Sequence, residues 1–408
     1  MKLCLHKLAI LALAIAAVAC TDNLVPDKYK NTGSNSGSGR NNGNNSTDNG
    51  NTENNGTEEK IIDYDKYSLG DLAARQGIKL GAAFTYWEYK NNSKVAEILT
   101  KEFNAATFGN EMKHDAIVQA DGSMNFKNAD QMALWTKDAG AELFGHVLGW
   151  HSQQQTTYLN ALISQAGGAG TQAAKEAIDN AFKTYVYGMV EHFDVYAWDV
   201  VNETFSDGTN GAFRTQATTQ QGDHVFVWGT YYNSTKEWVD KAFQYATEAC
   251  AKYGKSPILY INDYNLETDP GKRKALCQYA IGNPNVTGVS TQMHLDISTP
   301  NLKDKIEASL RELASTGKMV RIAELDLKNN NETNQAEMIT FIFQKYLEIV
   351  PAAQRGGITF WGINDKDSWL GENSHALLWK GATYQKKPSY NTLWLYLCEL
   401  NGLSPYME

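Results

Sequence analysis

Cysteine is scarce in this chain of 408 residues: five are present, at positions 4, 20, 250, 277 and 398. That excludes a disulfide scaffold, and because two of them lie in an N-terminal leader, at most one bridge is available to the folded body. Positive charge is also short. Lys plus Arg number 37 against 46 Asp plus Glu, a formal net charge of −9, which makes nucleic acid or another polyanion a poor main ligand. Outside the leader no apolar run is long enough to span a bilayer. No Gly-rich loop follows the first strand-like run, which weakens a dinucleotide-binding sheet, and no internal repeat is visible. Aromatic rings, by contrast, are plentiful: ten Trp and 21 Tyr, with every Trp lying after residue 86. Flat amphipathic rings in such number suit a core and also a groove that binds sugars by stacking.

Lys2, His6 and Lys7 precede an apolar run from Leu8 to Ala19, the pattern of a signal peptide. The small residues Ala17, Val18 and Ala19 directly before Cys20 resemble a bacterial lipoprotein processing site, although Ala17 stands where Leu is usual. Thr21 and Asp22 resemble surface-export signals of Bacteroidetes lipoproteins. The resemblance implies a signal peptide over 1–19, lipidation of Cys20 and a lipid anchor in the bacterial envelope, at the outer membrane or cell surface; secretion is the alternative. Residues 31–60 contain ten Asn and six Gly and no aromatic or aliphatic residue. Such a composition does not offset the entropy of ordering, so 20–60 reads as a flexible tether. The folded unit is expected over 61–405.

Within that unit short apolar runs alternate with helical patterns. The strand candidates are Ile78–Phe84, Ala105–Phe108, Leu143–Leu148, Asp194–Val201, Pro257–Asn262, Thr287–Met293, Met319–Leu325 and Gly357–Gly362. Helix candidates lie between them, among them Ser93–Phe103, Ala173–Phe193, Thr235–Tyr253, Asp269–Ile281, Leu302–Ser315 and Gln335–Gln354. Helices of this length between strands imply parallel pairing, and eight such units predict an α/β fold of the (β/α)8 TIM-barrel type.

In such a barrel the chemistry sits where strands end. The polar residues there include Asn110, Lys113, His146, Trp150, His151, Asn202, Glu203, Asn262, Asp263, Gln292, His294, Glu324, Asp326, Trp361 and Asp365. Glu203 and Glu324 come from the fourth and seventh strands, on opposite walls of the mouth. Two carboxyl groups with separated pKa values are what glycoside hydrolysis requires. The pattern by itself leaves metal sites and aldolase- or isomerase-type sites open.

Several segments resemble motifs of the family 10 glycoside hydrolases, the retaining endo-1,4-β-xylanases. They are Gly145–Gln153 (GHVLGWHSQ), Trp198–Glu203 (WDVVNE), Leu259–Asn265 (LYINDYN), Gln292–Leu295 (QMHL), Ala323–Asp326 (AELD), Trp361–Asp365 (WGIND) with Ser368–Trp369, and Lys387–Pro388, in family order across 75–400. The resemblance implies hydrolysis of xylan through a covalent glycosyl-enzyme intermediate. It implies Glu203 as acid/base, Glu324 as nucleophile, and Asn202, His294 and Asp326 as their support. Asn110, Lys113, His146, Trp150, Gln292, Trp361 and Trp369 would hold the sugar chain. No cofactor and no metal are implied. The partners are xylan and xylo-oligosaccharides, and a monomeric catalytic domain is expected. Asp263 reads equally as a buried hydrogen-bonding group or a sugar contact. Trp135, Trp198, Trp228, Trp238 and Trp394 read as packing, and Trp87 as a residue that could touch sugar.

Three stretches depart from the family pattern. His114 stands where Trp is usual, the run from Gln153 to Thr157 replaces a Pro- and Trp-containing continuation within a rebuilt stretch 154–175, and residues 204–230, with Phe213, Arg214, Phe226 and Trp228, form a long fourth loop. They are expected to affect branch tolerance and chain-length preference while leaving the chemistry intact.

Overall fold

A computed structural model describes residues 61–216, 224–329 and 331–407. The signal peptide, the Cys20 lipidation site and the tether expected over 1–60 lie outside the described residues.

Eight parallel strands form the centre: β1 (Leu80–Phe84), β2 (Ala105–Phe108), β3 (Glu142–Gly149), β4 (Ala197–Asn202), β5 (Ile258–Asp263), β6 (Gly288–Thr291), β7 (Met319–Lys328) and β8 (Arg355–Phe360). Each pairs with its sequence neighbours, and β8 pairs with β1, so the sheet closes into a (β/α)8 barrel. Strands covered on both faces read as continuous apolar runs, which is why LGAAF and AATF are buried at every position. The sixth strand is shorter than the candidate Thr287–Met293. The chain turns at Met293, whose φ is 57°, and resumes as a short strand, His294–Asp296, beside the end of β7. That turn swings His294 across to the wall that carries Glu324.

The outer helices follow local chemistry. Thr235–Tyr253 begins at Ser234, whose hydroxyl accepts the Glu237 N–H, and stops at Gly254, where a left-handed backbone (φ 67°) favours glycine. Its buried face includes Trp238, Val239, Ala242, Phe243 and Ala246. Trp198, Trp228, Trp238 and Trp394 are core residues, as expected, and Trp135 stacks on Tyr86 and Tyr89. Cys250, Cys277 and Cys398 are buried and free. Among the described residues no helix is long and apolar enough to cross a membrane.

The lower barrel interior is built around one cation. Arg321 of β7 is buried, lies 3.7 Å from the centre of the Phe144 ring, and donates to Tyr196 Oη at 2.6 Å and Thr359 Oγ1 at 2.5 Å. The two ends of the domain meet on the outer wall. Ile62 bridges Tyr406, Asp63 N–H donates to Pro405 O, and Met407 N–H donates to Ile61 O, both at 2.9 Å, while Tyr64 packs edge-on against Trp394 of the last helix.

Candidate active site

The C-terminal ends of the strands bring the expected residues together. On the β4 wall Asn202 is the last residue of the strand and Glu203 follows it in a left-handed backbone (φ 58°), an uncommon conformation for a residue with a side chain. Arg214 braces this turn. Its Nε donates to the Glu203 carbonyl at 2.9 Å, and its Nη2 donates to Tyr264 Oη at 3.0 Å and to the Phe205 carbonyl at 3.3 Å. Below it Asp263 is fully buried. Lys272, also fully buried, donates to Asp263 at 2.7 Å and to Asp207 at 2.9 Å, and the Phe205 and Tyr264 amides complete the carboxylate's shell. Asp263 is thus a buried hydrogen-bonding group of this wall.

On the opposite wall Glu324 of β7 accepts from Asn262 Nδ2 at 2.8 Å and lies 3.3 Å from His294 Nε2. His294 Nδ1 is 2.8 Å from Asp326 Oδ2. The same oxygen accepts the Trp369 indole N–H at 2.8 Å, so one carboxylate sets both the imidazole and the exposed indole. A chain of carboxamides joins the walls. Asn202 Oδ1 accepts from Asn262 and from Gln292, each at 3.0 Å; Gln292 also donates to Glu203 at 3.2 Å, and Asn202 at 3.3 Å. Gln292 therefore sits on the Glu203 side.

The two glutamates differ in electrostatics. Burial pushes the Glu203 carboxyl above its usual range, and the nearby Asp263 charge adds to this against the N–H groups of Trp150 and Gln292. Burial acts on Glu324 in the same direction but loses. The His294 hydrogen bond and the positive charges of His294 and Lys113 hold this carboxyl below its usual range. Burial opposes a charge on His294, but Asp326 and Glu324 overcome it and raise the imidazole to about 10. It is a cation at neutral pH, with an N–H toward each carboxylate.

A third cluster lies above β2 and β3. Lys113 is buried, donates to Gln153 Oε1 at 2.6 Å and Asn110 Oδ1 at 3.3 Å, and stands 4.9 Å from the centre of the Trp150 ring. His146 is held by Asp199 at 2.8 Å and meets the edge of Trp361, which also faces His294. All the expected site residues therefore converge on one mouth: Asn110, Lys113, His146, Trp150, Asn202, Glu203, Gln292, His294, Glu324, Asp326, Trp361 and Trp369. Among the described residues no group of three or more His, Cys, Asp or Glu is placed to hold a metal ion.

The sequence reading missed four supports: Gln153, Arg214, Lys272 and Asp199. Gln153 was visible only as the start of an altered loop, and Arg214 only as part of a long one. The fourth loop does more than flank the cleft, because Arg214 holds the backbone of Glu203. The His114 departure has a local reason. The imidazole is buried between Tyr185 and Trp228 and accepts the Gln155 N–H at 3.0 Å, tying the altered third loop to the site.

The family model described as "Glycosyl hydrolase family 10" matches residues 68–395. An endo-beta-1,4-xylanase, Xyn10C, of Cellvibrio japonicus is 30% identical over 305 residues, covering 68% of this chain and 47% of the relative. An endo-1,4-beta-xylanase B of Neocallimastix patriciarum is 30% identical over 323 residues, covering 78% and 34%. This chain spans about half or less of the length of these curated relatives. Among solved structures, native xylanase 10B of Thermotoga maritima superposes with a TM-score of 0.67 at 28% identity, covering 82% of this chain and 98% of the other.

Proposed function

The chain belongs to glycosyl hydrolase family 10, and from that premise we propose that it hydrolyses internal β-1,4-xylosidic bonds of xylan with retention at the anomeric carbon. The observation that carries this reading is the opposite bias of two carboxyl groups, one shifted toward its protonated form and one toward its ionised form, joined by a single chain of carboxamides across the barrel mouth.

The ionised Glu324 attacks the anomeric carbon. The bond to the departing sugar breaks, its electron pair goes to the glycosidic oxygen, and that oxygen takes the proton of Glu203. Glu203, now a carboxylate, removes a proton from water, and the hydroxide attacks the same carbon and displaces Glu324. Asn202 donates to the 2-hydroxyl of the sugar at the cleavage point. His294, set by Asp326, steadies the charge on Glu324. Asn110, Lys113, His146, Gln292 and Trp150 grip hydroxyls and ring faces, and Trp361 and Trp369 cover the bound sugar.

Similarity to xylanases over most of the domain supports xylan as the substrate. A relative named exoglucanase XynX, of Acetivibrio thermocellus, is 30% identical over 328 residues, which makes β-1,4-glucan the competing substrate. Reducing-end release from xylan and from carboxymethylcellulose separates the two, with Glu203→Ala and Glu324→Ala as controls. Release mainly from xylan and absent in both variants is expected; release mainly from carboxymethylcellulose would overturn the substrate.

We further propose that residues 1–19 are removed and that Cys20 carries a lipid anchoring the enzyme to the bacterial envelope. The charged start, the short apolar run and the small residues before Cys20 support this. Incorporation of labelled palmitate in cells, lost in Cys20→Ala, is the expected result.

A further inference from the structure

Of the ten tryptophans two are largely exposed: Trp369 at 61% and Trp87 at 62%. Trp369 has a partner in Asp326 and a place in the reading above. Trp87 has neither. It lies on the short helix Tyr86–Asn91, directly after β1, and so at the same end of the barrel as the two glutamates.

The helix is held rigidly. Thr85 and Glu88 form a capping box at its start. The Tyr86 amide donates to Glu111 Oε1 at 2.8 Å, and the other oxygen of Glu111 accepts the Asn110 amide. Trp87 is therefore fastened next to Asn110, one of the residues that grip the sugar chain. Behind it Tyr86 and Tyr89 stack on Trp135, with centroids 5.3 and 4.4 Å apart. At the far end Asn92 donates to Tyr384 Oη at 2.7 Å, and that hydroxyl donates to Asp367 at 2.6 Å, two residues before Trp369. β1 and β8 are neighbours, so both exposed indoles stand over adjacent strands on one side of the mouth. The Trp87 ring meets Tyr86 edge-on, with Lys90 Nζ 5.1 Å from its centre.

An indole left mostly in water contributes little to folding, and this one stands at the end of the barrel that carries the cleft, on a helix anchored through Glu111 to the segment of Asn110. Resting on the proposed xylanase reading, we propose that Trp87 is a stacking platform for the xylan backbone, taking a xylopyranosyl unit on the non-reducing side beyond those gripped by Asn110 and Lys113. The occupant is a neutral pyranose ring of the chain already in the cleft, so this residue adds dependence on glycone length.

Aryl β-xylosides of defined length test this, because nitrophenol is released only from chains bound with the aryl group just beyond the cleavage point. Release of nitrophenol is measured from the xylobioside and the xylotetraoside with wild type, Trp87→Ala and Trp87→Phe. The expected result is a loss of roughly three- to tenfold in kcat/KM for Trp87→Ala on the tetraoside. The bioside should be unchanged, and Trp87→Phe should restore most of the loss. Equal change on both substrates, or none on either, would overturn the platform. A wild-type protein that cleaves neither would overturn the xylanase reading and this inference with it.

Discussion

The β4 wall and the β7 wall present the same functional group, a glutamate carboxyl drawn largely out of water, and tune it in opposite directions. Around Glu203 the partners of the carboxyl are the neutral N–H groups of Asn202, Gln292 and Trp150, with His151 Nε2 3.8 Å away, and the Asp263 charge acts in the same direction as burial, so burial prevails. Around Glu324 an imidazolium and a lysine face the carboxyl, and their field outweighs the same desolvation. Burial raises both carboxyl groups, and the layer of charge behind each one reinforces or reverses it. On the β7 wall that layer is His294 fixed by Asp326, and on the β4 wall it is Asp263 fixed by Lys272. Lys272 and Asp263 form a fully buried pair and His294 and Asp326 a partly buried one, so the asymmetry depends on four residues besides the two glutamates, of which His294 contacts Glu324 directly.

Substituting the glutamates separates the walls most strongly. Glu324→Ala is expected to lose roughly 10⁴-fold or more in kcat on every substrate, because no leaving group replaces a nucleophile. Glu203→Ala should lose as much on xylan. On a xyloside with a good leaving group it should still form the intermediate, seen as a burst of aryl release followed by slow turnover. Equal failure of both variants on the activated substrate would erase the distinction.

The next effect in size comes from His294→Ala, which removes the cation opposite Glu324. A loss of about 10²-fold is expected at neutral pH. The carboxyl must be ionised to attack and is now held low, so removing the cation raises it, and the acid limb of kcat/KM should move to higher pH. The same residue links to stability. An imidazole raised from 6.5 to about 10 contributes stability fully below its unfolded value and loses it as pH rises through the folded one. The Tm gap between wild type and His294→Ala should be widest near pH 6 and narrow toward pH 10.

The smallest effect is the most diagnostic. Asp263→Asn deletes the negative charge beneath Glu203, so the pKa of that acid falls and the alkaline limb should move to lower pH. Lys272 keeps Asp207 as a partner, and a loss of about 3 kcal/mol in denaturant stability is expected from breaking the buried pair. An alkaline limb that stayed in place would show that burial alone sets Glu203.

The barrel and both glutamates were legible because parallel strands buried on two faces leave unbroken apolar runs, and because their ends are the only places where polar clusters of this kind recur. Helix Thr235–Tyr253 could be bounded to the residue, since Ser234 and Gly254 mark its ends. The break in the sixth strand at Met293 was not legible: a left-handed backbone at a methionine leaves no trace in the sequence Ser290–His294, which carries neither Gly nor Asn. Nor were the supports. Arg214 reaches a main-chain carbonyl eleven positions back, and Lys272 neutralises an aspartate from the helix that follows β5. Such pairings depend on how loops fold over strand ends, and neither periodicity nor composition records them. Asp263 could be read two ways because its neighbours in sequence are the same whether it faces sugar or lysine.

The clasp that joins Ile61–Asp63 to Pro405–Met407 has a consequence for the connectivity of the barrel. The two described ends of the domain share one point on the outer wall, beside the last helix. It means that a short peptide could join 407 to 61 and the chain could be reopened elsewhere on the outer wall, with both catalytic carboxyl groups left in place.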